Sequence, residues 1–221
     1  MTTSTPAPTR PDTHEMVVVH RVFRREAALL PSLVAAVAHG DVRRARRLAG
    51  HIRAYRDGLH EHHTGEDDLI WPLLLARIDL EADVVLRMEL QHEAVAATLD
   101  RISAVLPAWS ASAGAADRAE LVAALRAHYT ALVEHLDDEE RFVLTLIAEH
   151  LTVAEWERPR ERFAAEIPLH RQLLFLGAML EDATAEERAG MLAGMPRPVR
   201  LAWSLAGRPW YTVHMRRIRR A

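Results

Sequence analysis

The stretch His60-Glu61-His62-His63-Thr64-Gly65-Glu66-Asp67-Asp68-Leu69-Ile70-Trp71 sets three histidines and four carboxylates directly before an apolar block. On a helix, His62 and Glu66 are four positions apart and stand one above the other on the same face. The same spacing returns in His135-Leu136-Asp137-Asp138-Glu139. Two such pairs on two helices, with single histidines on two others, would place nitrogen and oxygen donors inside a helical bundle.

Working outward, the apolar periodicity supports that arrangement. Asp12-Thr13-His14-Glu15 fits a capping box, after which Met16, His20, Phe23, Ala27 and Leu30 share one helical face. Pro31 should kink or interrupt this first helix, which then ends at Gly40. Asp41 can cap a second helix with Leu48, Ile52, Tyr55, Leu59, His62 and Glu66 inward, and Gly65 and Pro72 should loosen its end. A third helix is expected over about residues 82–106, with Val85, Met88, His92, Val95, Leu99 and Ile102 on one face. A polar loop over 110–116 should follow. The Asp117-Arg118-Ala119-Glu120 box then opens a fourth helix, running to about Glu149 with Leu121, Leu125, His128, Leu132, His135, Glu139, Phe142 and Leu146 inward. Each of the four helices carries a histidine in the middle of an apolar stripe. The expected fold is all-α, an up-down-up-down four-helix bundle over residues 12–150. A disordered, proline-rich tail is expected over residues 1–11 and a helical C-terminal extension over 151–221.

Composition removes several function classes. The 221 residues contain no cysteine, which excludes disulfides, thiolate metal sites, iron–sulfur clusters and a cysteine nucleophile. Gly (9) and Pro (11) are sparse beside Ala, Leu, Arg and Glu, which favours helix. A net charge of -3 gives no reason to expect a polyanion, so no nucleic-acid partner is anticipated. No apolar run is long enough to span a bilayer and no signal pattern is present, so a cytoplasmic location is expected. Thirteen histidines are more than such a chain ordinarily carries, and they require an explanation.

His20, His62, His92 and His135 with Glu66 and Glu139 form a chemically complete set for two metal ions. Each ion can take two imidazoles, and the carboxylates can bridge, offsetting part of the repulsion between cations. Imidazole and carboxylate without thiolate suit iron, manganese or zinc. Without a cation, six such groups on inward faces would be buried at a cost of several kcal/mol per unpaired charge. A ferritin-like alternative needs Glu-x-x-His on each of two helices, and only Glu89-Leu90-Gln91-His92 supplies it.

The ordered set His20, His62-x-x-x-Glu66, His92, His135-x-x-x-Glu139 resembles the hemerythrin-like proteins, or HHE cation-binding domains. The resemblance covers roughly residues 10–150. It implies a bundle around a non-haem di-iron centre, with the four histidines as terminal ligands and Glu66 and Glu139 as bridges. The oxygen carriers of that family place a further histidine four residues after the one on the third helix, where this chain has Ala96. They also use His-x-x-x-x-Asp on the fourth helix, where this chain offers Glu139, or Glu140 one residue on. A more open centre follows, which favours sensing or turnover of O2, H2O2 or NO over reversible carriage.

Tyr55 and His128 lie seven residues before His62 and His135 and point down the same faces. Tyr55 can reach the centre or sit one layer away, and His128 is expected to support a ligand or simply pack. His60 and His63 fall off the His62 face and are expected to be exposed or to support the ligands, with Asp67, Asp68, Asp137 and Asp138 on solvated surface. The C-terminal helices are expected to pack over one side of the bundle or make a homodimer contact. The sharper alternative is an interfacial membrane helix carrying Trp203, Trp210 and the closing arginines. Two functions remain open: a di-iron protein that binds, senses or turns over a small oxidant, and a regulatory module signalling through its C-terminal helices.

Overall fold

A computed structural model describes residues 10–220, so most of the expected N-terminal tail lies outside the described residues. Four long helices build the bundle: α1 (His14–Ala35), α2 (Val42–Leu69), α4 (Ala82–Ser112) and α5 (Ala115–Asp138), with a short α3 (Trp71–Leu75) between α2 and α4. α5 passes through a π-helical turn, Glu139–Val143, into α6 (Leu144–His150). The described residues contain no strand.

Two apolar clusters fix the direction of each helix. The larger holds Phe23, Ala27 and Leu30 of α1, Leu48 to Leu59 of α2, Val95 to Trp109 of α4 and Leu121 to Leu136 of α5. The smaller holds Met16, Ile70, Trp71, Leu74, Val85, Met88, Val143 and Ile147. α1 and α4 run from the smaller cluster to the larger, and α2 and α5 run back. This is the up-down-up-down order. In every helix the histidines and glutamates of interest fall where one cluster gives way to the other.

Several helix boundaries differ from expectation. Asp12 accepts from the His14 amide (3.0 Å) rather than completing a capping box, and α1 starts at His14. Pro31 does not break α1, because Leu30 and Val34 on either side are fully buried and hold the backbone in register. The helix ends at Ala35 instead of Gly40, whose φ of 79° serves the turn into α2. Pro107 is likewise carried inside α4 by buried Leu106 and Trp109, so the polar loop expected over 110–116 shrinks to Ala113 and Gly114. Asp41 caps α2 as its position suggested, its carboxylate accepting from the Arg44 amide at 3.0 Å. Gly65 stays helical where α7 (Val153–Glu166) packs on α2, Pro159 Cβ standing at ordinary contact distance, 3.4 Å, from where a Cβ would be.

The remaining helices are α8 (Leu169–Asp182), α9 (Ala185–Gly194), α10 (Arg197–Ala202) and α11 (Arg208–Arg219), with a second π turn at Trp203–Gly207. Thr152 and Thr184 both close capping boxes, with Glu155 and Glu187. α8 and α11 cover α1 through a third apolar cluster, in which Ala178, Met179, Trp203, Tyr211 and Met215 pack on Val18 and Val22. Trp203 is therefore spent in packing, and Trp210 remains 42% exposed. No described helix is long and apolar enough to cross a membrane.

A charged knot fastens this layer. Glu26 of α1 meets His51 at 2.8 Å, Arg25 at 3.1 Å and Arg219 at 3.3 Å, and Arg219 also reaches Glu181 at 2.7 Å. Burial alone would raise the Glu26 carboxyl, but these partners outweigh it and bring it down to about 2. Gly177 lets α8 lie directly on the Tyr211 ring, which a Cβ would strike. Gly177→Ala should destabilise the docked layer by about 1–3 kcal/mol through overpacking. Hydrogen exchange should show faster exchange over α8 and α11 with the bundle amides unchanged; uniform protection would refute this.

Candidate metal centre

Between the two clusters the four bundle helices turn ionisable side chains toward one another. His20 comes from α1, His62, His63 and Glu66 from α2, His92 from α4, and His135 and Glu139 from the end of α5 and its π turn. The donor atoms of His20, His62, Glu66 and Glu139 lie within 4.8 Å of one another, and so do those of His63, His92 and His135. Glu66 faces both groups, with Oε1 3.4 Å from His62 Nε2 and Oε2 3.6 Å from His92 Nε2. Glu139 Oε2 lies 3.4 Å from His20 Nε2 and 3.5 Å from His135 Nε2.

These separations are too long for hydrogen bonds. Two donors each about 2.1 Å from an ion and about 110° apart stand roughly 3.4 Å from each other, so the spacing fits donors around shared cations. The Nε2 atoms of His20, His62, His63, His92 and His135, and both carboxylate oxygens of Glu66 and Glu139, are buried without a hydrogen-bond partner. Native interiors rarely tolerate such orphans. Burial, then the charge of Glu139, pushes the Glu66 carboxyl well above its usual range. Burial and neighbouring imidazoles push His62 and His63 well below theirs, and His135 down to about 2. Neutral imidazoles at His62, His63 and His135 thus face crowded carboxylates, the electrostatics that cations would relieve.

His63 corrects the expectation from the sequence. It is only 6% exposed, and its ring stacks on His92 with centroids 4.1 Å apart and planes 10° apart. It lies about 100° around α2 from His62. His62 meets His20 of α1 (ring centroids 5.4 Å) while His63 meets His92 of α4, because α2 packs between both neighbours. His63 also lines the same cleft as Ala96, the position where a fifth histidine was missing. The signal available in the sequence was this coincidence: a spare histidine beside a vacated place.

The π turn settles which glutamate of the fourth helix turns inward. Glu139 is fully buried in the cluster, whereas Glu140 accepts from His20 Nδ1 at 3.0 Å and from Arg24 at 3.1 Å. Single π turns often mark functional positions. Asp67, expected on solvated surface, lies 2.7 Å from His92 Nδ1 and orients that ring. Asp68 pairs with Arg162, Asp137 with Arg24, and Asp138 accepts from Gln91. His60 is exposed as expected, and Glu89 falls outside both donor groups, which leaves the ferritin-like reading without a ligand.

The model of the family described as Hemerythrin HHE cation binding domain matches residues 12–147. The chain belongs to the hemerythrin HHE cation-binding family. No curated protein and no solved structure matches it. The match spans α1 through the bulk of α6, so the HHE domain includes every donor above and leaves α7 to α11 outside.

Tyr55 sits one layer below the centre. Its hydroxyl bonds His128 Nε2 at 2.7 Å, and the Phe23 ring lies between Tyr55 (6.1 Å) and His62 (5.2 Å). Thr98 donates its own hydroxyl proton to the Val95 carbonyl (2.6 Å) and so accepts from His128 Nδ1 (2.8 Å). That leaves Nε2 as the acceptor for Tyr55, and His128 is neutral, with burial holding it down to about 4. An unfolded chain protonates this residue near 6.5 while the fold resists until about 4, so stability should fall as pH drops through that window. In metal-free protein, His128→Gln should lessen that loss by up to about 1.4 kcal/mol per pH unit. Urea unfolding across the window measures it; an unchanged pH slope would contradict the buried neutral assignment.

Proposed function

We propose that this chain holds two iron ions in a carboxylate-bridged centre and uses them to bind, sense or turn over a small oxidant, O2, H2O2 or NO. The observation that carries this reading is the convergence of five orphaned imidazole nitrogens and four orphaned carboxylate oxygens on one buried space. His20 and His62 would serve one ion, His63, His92 and His135 the other, with Glu66 and Glu139 between them. Iron in such a set supplies Lewis acidity and electrons to a bound oxidant. The protein's own part is to orient the donors, through Glu140 on His20 and Asp67 on His92, and to keep the space dry between two apolar clusters.

A second reading rests on α1. One side of this helix carries His20 and the other carries Val18 and Val22, on which α8 and α11 pack. A regulatory module would transmit the state of the centre through that helix, with negligible oxidant consumption. Turnover assays alongside hydrogen exchange of α8 and α11, with and without oxidant, separate the two readings.

Metal analysis of iron-supplemented protein should give roughly two ions per chain with an oxo-bridge absorption in the near ultraviolet. His62→Ala and Glu66→Ala should lose metal and melting temperature together, because binding is linked to folding. His63→Ala should drop the content toward roughly one ion per chain while the fold persists. Full metal content in all three variants would sink the ligand set.

A further inference from the structure

The C-terminal helices do more than cover α1. Between α1, α2, α7, α8 and α11 they form a pocket of about 90 Å³, open on one side. Its wall includes Phe23, Tyr55, Phe163, Leu174, Phe175 and Ala178. The polar groups on its lining are already engaged: Glu26 with His51 (2.8 Å), Asp57 with Arg171 (2.9 Å), and the Tyr55 hydroxyl with His128 (2.7 Å). None of the buried polar side-chain atoms lacking a partner belongs to a lining residue. A polar guest would surrender hydrogen bonds to water and gain none, at a cost of about 1–3 kcal/mol per group. An apolar guest would meet no such penalty.

A sealed apolar cavity of about 150 Å³ takes benzene or xenon, and the roughly 90 Å³ here is room enough for a diatomic molecule or a xenon atom. Phe23 is the wall shared with the centre. Its ring lies 5.2 Å from that of His62 and 5.8 Å from that of Phe175. Rotation of one side chain thus separates the cavity from the donor cluster. The other opening is of the opposite character: a cleft of about 360 Å³ lined by His60, His63, Asp67, Glu89, His92 and Glu93. That cleft suits cations and water-like solutes.

We infer that α7, α8 and α11 build an apolar antechamber that delivers a small apolar diatomic gas, O2 or NO, to the metal centre past Phe23. This rests on the di-iron reading and narrows its ligand to a gas rather than peroxide. Gly58 provides the test, since it lines the cavity and a Cβ there meets nothing within 4 Å. Gly58→Leu therefore starts its side chain in open space, and replacing a mid-helix glycine favours the helix. Ala178→Leu fills it from the opposite wall.

Crystals of the metal-free full chain under xenon pressure should show xenon between Phe23, Leu174 and Phe175, and a filled variant should exclude it. With iron loaded and reduced, the variant that excludes xenon should react severalfold more slowly with O2 and NO in stopped flow. Its metal content and its rate with H2O2 should be unchanged. Absence of xenon in the wild-type chain, xenon that neither variant displaces, or gas rates unmoved in a variant that excludes xenon would each overturn the antechamber. Xenon in the cavity of a chain that takes up no iron would instead defeat the di-iron reading on which gas delivery depends.

Discussion

Two carboxylates and five imidazoles are turned toward one another inside the bundle, and the rest of the bundle is arranged to keep them there. Burial and the neighbouring Glu139 push the Glu66 carboxyl well above its usual range, and no donor from outside the cluster compensates either carboxylate. Such a cluster cannot hold its own shape. Apolar packing on both sides imposes it, with Leu59, Val95 and Leu132 below and Met16, Ile70, Met88 and Val143 above. Cations would turn this conflict into attraction, so the same burial that destabilises the empty cluster raises its affinity for metal. Glu140 and Asp67 act from outside by fixing the far nitrogens of His20 and His92.

Much of this was legible because each helix repeats one pattern, apolar residues on a stripe with a histidine in the middle. Periodicity located His20, His62, His92 and His135 without reference to any structure, and the four-residue spacing added Glu66 and Glu139. Periodicity failed on His63 for a geometric reason. A helix in a ring of four touches two neighbours, so its buried arc is wider than one stripe, and residues about 100° apart can both face inward. His62 and His63 divide that arc between α1 and α4. Pro31 misled in the other direction: local propensity favours a break, and buried Leu30 and Val34 override it.

The π turn at Glu139 is a subtler case. Positions four and five after His135 both carry glutamate, and sequence spacing alone leaves the choice open. What decides is a neighbour on another helix, Arg24, which together with His20 Nδ1 draws Glu140 outward and leaves Glu139 to the interior. The widened backbone turn accommodates both demands at once. Local sequence could not reveal this, because the deciding contacts span more than a hundred residues.

The extension beyond the HHE domain shares α1 with the centre, and that fixes what kind of influence it can have. α1 presents His20 to the cluster, Phe23 to both cluster and cavity, and Val18, Val22 and Glu26 to α8 and α11. A close-packed helix moves largely as a unit, so any shift of His20 on metal binding would be felt where α8 and α11 dock. Linkage would make the relation reciprocal: if metal binding changes the docking equilibrium by some factor, docking changes metal affinity by the same factor. The proposed antechamber and the regulatory reading would therefore both follow from one architectural choice, the placing of the extension against the helix that carries the first histidine.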